Sequence, residues 1–356
     1  MAGAHLSRPD KAVLRLAVGL GLAALLAYGL AFQMPFVVCV MAIFVLCKPG
    51  PPLPFVKGVI GALIFALLIA AGILMVPVLE HFALVGVLLT AAMLFGIFFI
   101  GLRSGSPLTI FLVIAAALMP VAGVAEQALV GVLSKALALG VAVGALVSGL
   151  SHALFPDPPV SGAAAAALPK LGREAAAWIA GRAVLIVMPV FLLALNDPAF
   201  YLAAILKTVA LSQQAGETDA RSAGRELVGS TLLGAVLAAA IWFGLSLWVS
   251  LWMLVLWLMA AALWAGSALY RLRPTRYRPS FWSNALITAL ILLGPAIEDS
   301  ASGKSVLEGA VTRSVLFVGV ALYASAMVWG IERWRAGRVS SVTDSDGQTL
   351  AEGGKT

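Results

Sequence analysis

Charge is what this chain has least of. Asp, Glu, Lys and Arg make up 11% of its 356 residues, against 62% hydrophobic residues and a mean hydropathy of +1.04. Soluble domains carry roughly a quarter charged residues, so that class is excluded. Cysteine is nearly absent as well. Cys39 and Cys47 are the two present; on one helix they stand about 12 Å apart, too far for a disulfide, and they read as packing residues. With three histidines in all and no HExxH or paired Cys/His spacing, neither a metal site nor another cofactor is expected. Gly303-Lys304-Ser305 resembles the end of a phosphate-binding loop, but Glu298 stands where the first glycine is required. Ser151-His152 has no third partner, and adjacent helix residues point apart. The chain therefore reads as a non-enzyme.

What is present is a series of charge-free apolar runs bounded by short polar turns. Residues 16–47 and 227–270 are each long enough for two passes. Residues 58–79, 82–102, 104–125, 136–156, 279–297 and 314–331 each fit one, and two more cross between Glu174 and Gln213. This predicts an all-α polytopic membrane protein of about twelve spans. The net charge of +7 does not call for nucleic acid. Basic residues fall at alternate turns (Arg8, Lys48, Lys57, Arg103, Arg173, Arg225, Arg271, Arg335), while Glu80, Glu126, Asp197 and Glu298 mark the opposite ones. By the positive-inside rule both termini are cytoplasmic. The first run lacks a small-x-small cleavage site and is kept as a span.

The two halves echo one another. Lys57-Gly-Val-Ile-Gly61 matches Arg225-Glu-Leu-Val-Gly229, Val132-Leu-Ser-Lys135 matches Ala310-Val-Thr-Arg313, and Arg15 corresponds to Arg182. Six spans per half starting on one side imply a parallel repeat. The expected organisation is a first membrane repeat over 1–155, a cytoplasmic linker over 156–173, a second repeat over 174–335 and a disordered cytoplasmic tail over 336–356. Gly61, Gly140, Gly144, Gly229 and Gly234 suit close helix packing.

Lys207 is the residue that stands out. It lies ten residues from both Asp197 and Glu217, about 15 Å along a helix and hence near the middle of a ~30 Å hydrocarbon core. An ammonium there costs about 2.5–3.5 kcal/mol on insertion scales, so it should face protein or water, and an anionic substrate is its natural ligand. The bland alternative is a snorkelling lysine. Arg182, Ser212, Gln213 and Asn284 are the other substrate-site candidates, with Gln214 beside them at the inner mouth. Arg182 is expected either to snorkel or to pair with Glu174. Asp197, Glu298, Asp299, Glu80 and His81 are candidates for a proton or charge pathway, or simply mark loops. Arg15, Lys57, Arg225, Lys135 and Arg313 read as structural cations at helix ends.

The cation–x₃–Gly start of the third span, together with Arg15, Arg182 and Arg103, resembles the repeat unit of the fusaric acid resistance and aromatic acid exporter superfamily. The resemblance covers about 8–335. It implies a bacterial inner-membrane efflux subunit for aromatic carboxylic acids or related weak acids. A periplasmic adaptor of the membrane-fusion type, an outer-membrane channel and homo-oligomeric assembly are the implied partners, beside the lipid bilayer and the anionic substrate. Large soluble cytoplasmic domains of the bigger members have no counterpart, so the chain looks like a short form. The alternative is a channel-like or scaffold subunit of an export complex without its own substrate site.

Overall fold

The computed structural model describes residues 7–47, 69–106, 108–156, 171–217, 222–303 and 305–352. Side chains are described to Trp334, except at Ala199 and Glu217. Among the described residues there is helix and no strand. In chain order the helices are α1 (Arg8–Gly29), α2 (Pro35–Leu46), α3 (Ile69–His81), α4 (Ala83–Ser104), α5 (Thr109–Ala125) and α6 (Gln127–Leu154). They are followed by α7 (Arg173–Asn196), α8 (Pro198–Glu217), α9 (Gly229–Leu247), α10 (Leu251–Leu269), α11 (Pro279–Ala301) and α12 (Val306–Glu352). A π-helical turn, Gly224–Val228, leads directly into α9.

Local sequence explains many of the boundaries. Ser7 and Asp10 form a reciprocal capping box on α1, and Ser250 caps α10. Pro35 and Pro279 each sit in the first turn of a helix, where a missing N–H costs nothing. The α4–α5 turn passes through Gly105 at φ +64°, a conformation that side-chain-bearing residues resist.

Among the described residues eight helices are long and apolar enough to cross a membrane: α1, α4, α6, α7, α9 with its π turn, α10, α11 and α12 to Trp334. α2 and α5 have 12 and 17 residues, and α8, though 20 residues long, does not qualify. The exceptions have a physical reason. α2 and α5 are buried along nearly their whole length, and α8 is buried from Leu202 to Ala215 except at Gln213, so protein rather than lipid surrounds them. The outward surfaces of α4, α9 and α12 carry exposed Leu84, Leu88, Val236, Phe243, Val315 and Leu322, an apolar exterior that suits bilayer hydrocarbon. The protein is thus a polytopic all-helical membrane protein.

α1 packs on α2, α6 and α10; α7 packs on α8, α12 and α4. α2 lies against α6 and α11, and α8 lies against α12 and α5. Gly140 and Gly144 bring α6 onto α2, where an added Cβ would meet Met41 and the Ala42 backbone. Lys57, Gly61 and most of the third span lie outside the described residues, as does most of the 156–173 linker. Among the described residues α12 runs on past Trp334 to Glu352.

Candidate functional site

Lys207 is the tenth residue of α8 and has no exposed surface. Its Nζ donates to Thr288 Oγ1 at 2.6 Å and to Asn284 Oδ1 at 3.2 Å, both on α11. Both partners are neutral, and no carboxylate contacts the ammonium among the described residues. Gly234 of α9 makes the geometry attainable. A Cβ there would collide with Thr288 Cβ and approach the Ala285 carbonyl to 2.7 Å, so glycine lets α9 press the Thr288 side of α11 toward α8.

From Lys207 a polar file runs toward the inner ends of these helices. Asn284 Nδ2 donates to Ser230 Oγ at 2.7 Å, and Ser230 Oγ donates to Gln214 Oε1 at 3.1 Å. Gln214 Nε2 donates in turn to the Glu226 carbonyl at 3.0 Å. That carbonyl also accepts a backbone N–H at the junction of the π turn with α9, so Gln214 shares it. Each donor in the file points away from Lys207. Such aligned bonds polarise one another in favour of positive charge at the lysine end.

Beside this file lies a cavity of about 660 Å³. Its polar wall comes from α8 and α11: Ser212, Gln213, Gln214, Ser280, Ser283 and Asn284. The facing wall, from α2, α4, α5 and α7, is mainly apolar and includes Phe44, Phe98, Ile110 and Ile179. Lys207 stands behind Asn284 rather than on the wall. Ser212 Oγ donates to the Val209 carbonyl of its own helix.

Of the sequence candidates, Ser212, Gln213 and Asn284 line the cavity, and Lys207 is bonded to Asn284. Arg182 is buried between the lining residues Ile179 and Ala183. It pairs with Glu332 of α12 at 2.9 Å and donates to the Ala215 carbonyl at 2.6 Å, tying α7, α8 and α12 together. The expected pairing with Glu174 is therefore corrected: Glu174 is exposed at the start of α7, two turns from Arg182. Trp178 also donates to Glu332, at 3.3 Å, and stacks on Trp334.

The carboxylate candidates stand at the other helix ends. Asp197 caps α8 through the Phe200 N–H, Asp299 pairs with Arg313 at 2.7 Å, Glu80 and Glu298 are exposed, and His81 contacts the Pro77 carbonyl. Arg15 is buried near the start of α1, Arg225 lies over the Tyr277 ring, and Lys135 is exposed. Sequence reasoning missed Ser230, Glu226 and Glu332. The available signal was the four-residue spacing of Glu226, Ser230 and Gly234, which puts them on one helix face.

No family model, curated protein or solved structure matches the chain. The fold and the site define a class: a helical membrane protein with a buried lysine beside an amphipathic cavity.

Proposed function

We propose that this protein is a secondary transporter of aromatic carboxylates or related weak-acid anions, with Lys207 as the anion-binding charge. The observation that carries this reading is a lysine without exposed surface, bonded to neutral partners only, one side chain behind a cavity wall. Uncompensated charge in the membrane interior is costly and marks substrate pathways. An ammonium has three donors, and two are used here, which leaves one for an entering carboxylate. The apolar wall accommodates an aromatic body while the α8–α11 wall accommodates its polar edge. Export from the bacterial cytoplasm, across the inner membrane and together with an adaptor, is the direction that the superfamily resemblance implies.

The helix contacts support two parallel six-helix repeats forming twelve spans. α1 on α10 corresponds to α7 on α4, α2 on α11 to α8 on α5, and α2 on α6 to α8 on α12, each shifted by six helices. Pro120 in α5 and Pro295 in α11 occupy similar outer positions. On this reading the cavity lies at the cytoplasmic end, and Lys207, with apolar Val37–Leu46 opposite it in α2, breaks the pseudo-symmetry.

Lys207→Met keeps length and removes charge. Cells carrying it at wild-type abundance should lose resistance to weak aromatic acids. Full resistance at that abundance would return Lys207 to a structural role. A scaffold subunit, the rival reading, would show no flux when reconstituted alone.

A further inference from the structure

Where α10 ends and α11 begins, the chain fixes a cation that the transport site does not use. Residues 271–278, which join the two helices, hold Arg271, Arg273, Arg276 and Arg278 and no acidic residue. Arg273 is folded back onto the bundle, its N–H donating to the Ser267 carbonyl at 3.0 Å. Its guanidinium lies over two indole rings, 4.9 Å from the Trp264 centroid and 5.3 Å from that of Trp282. The two rings meet edge to face with centroids 5.4 Å apart, forming a corner that fixes the cation. Stacking engages the face of a guanidinium and leaves its five N–H groups, which lie in its plane, free to donate. Among the described residues no carboxylate or other acceptor meets them. A second donor in the corner is also unmatched. Trp282 is 6% exposed, and its Nε1–H has no acceptor among the described residues.

We propose that Arg273, in its corner of Trp264 and Trp282, holds the phosphate of an anionic phospholipid from the surrounding bilayer. This site is independent of the anion-carrier reading above. Both unmatched groups are donors and one is charged, so the partner they lack is an anion with oxygen acceptors. What adjoins the corner identifies its source. On α10, Leu256, Leu263 and Trp264 are 59%, 39% and 40% exposed. Offsets of seven and eight residues from Leu256 put them on one helix face, an apolar strip about 12 Å long that ends at Arg273. A lipid with its headgroup at the corner lays its acyl chains along that strip, and a free phosphate has nothing to lay there. Tryptophans with one face in hydrocarbon and a polar neighbour above suit the headgroup level of a membrane.

Charge then selects among lipids. A zwitterionic headgroup brings its own ammonium, which the other arginines of the loop repel, whereas a headgroup without one meets only attraction. The loop is held in shape for this task. Arg271 adopts φ +61° and donates to the Thr275 carbonyl at 3.0 Å, a strained turn tied by its own side chain. Leu269, Pro279 and Ser280, which flank the loop, line the cavity. A lipid bound at Arg273 therefore braces the helix ends that frame the cavity.

The test uses the full chain in detergent with equimolar phosphatidylglycerol and phosphatidylcholine of matched acyl chains, counted on the protein by native mass spectrometry. In the complex with one lipid, phosphatidylglycerol should be favoured by about tenfold in wild type. Arg273→Gln should abolish that preference. Arg273→Lys keeps the charge but not the stacked plane, and should lose most of it. Lys135→Gln, which removes an exposed cation from α6, should leave it unchanged. Trp282→Phe keeps a ring, deletes the Nε1 donor and should reduce the preference severalfold; it replaces Arg273→Gln if that variant does not fold. No preference in wild type, or an undiminished one in Arg273→Gln or Trp282→Phe, overturns the proposal. So does a wild-type preference in Arg273→Lys, which would reduce the loop to a diffuse positive field. Millimolar inorganic phosphate should not displace the lipid; displacement would make the free anion the ligand and overturn the lipid site.

Discussion

A side-chain amide is an unusual neighbour for an ammonium inside a membrane, where a carboxylate would neutralise the charge. Asn284 accepts from Lys207 through one end and donates to Ser230 through the other, so it orients the lysine without cancelling it. Asn284→Asp tests that distinction. An aspartate should hold Lys207 as an internal ion pair, so abundance should persist while affinity for aromatic anions falls by about tenfold or more. Anion binding followed by tryptophan fluorescence would check this, and unchanged affinity would remove the free charge from the mechanism. Lys207 was legible in the sequence because one cation interrupts an apolar run, and depth follows from counting. Glu226 was not. Next to Arg225 at a helix edge it reads as half of a surface pair, and its burial depends on the π turn and on the packing of α12, which no local pattern encodes.

At the scale of helices, close approach is set by glycines and by one charged clasp. Gly234→Ala forces a methyl onto Thr288 and the Ala285 carbonyl, so it should cost about 1–3 kcal/mol and loosen the Lys207 contact. Gly319→Ala, where nothing lies within 4 Å, should instead be neutral or stabilise by up to about 1 kcal/mol. Thermal unfolding of both variants in detergent decides the matter: equal shifts would mean that the close approach of α9 and α11 does not depend on glycine at 234. The clasp joins α7, α8 and α12 through Arg182, which is buried, and Glu332, which is about a third exposed. Glu332→Gln leaves a buried guanidinium with one anion fewer and should destabilise by a few kcal/mol, whereas Glu174→Gln should stay within about 0.5 kcal/mol. Helix positions were largely legible from apolar runs, prolines and caps. The partner of Arg182 was not, since Glu332 lies 150 residues away in sequence and only packing selects it over the nearer Glu174.

Taken whole, the molecule encloses α2, α5, α8 and α11 and turns the apolar faces of α4, α9 and α12 outward. Composition alone identified the membrane class. The layering did not follow from it, because enclosure by neighbours is a property of the assembled bundle. The proposed topology rests on the alternation of basic and acidic turns. Reporter fusions after Ala125 and Ser302 should both read periplasmic, and a cytoplasmic signal at either would refute the proposed topology.

The enclosure of α8 also bears on how the chain is made. α8 is more polar than the eight long apolar helices described above, and the side chains that satisfy Lys207 lie 77 and 81 residues further along the chain. At ordinary elongation rates of about 5–20 residues per second, α11 follows roughly 4–16 s later. Over that interval the nascent chain carries a lysine that lipid will not accept, so the insertion machinery must shelter α8 until α11 arrives. A polypeptide ending after α10 would present cellular proteolysis with an unsheltered charge, and biosynthesis itself would screen out chains that never complete the lysine's surroundings.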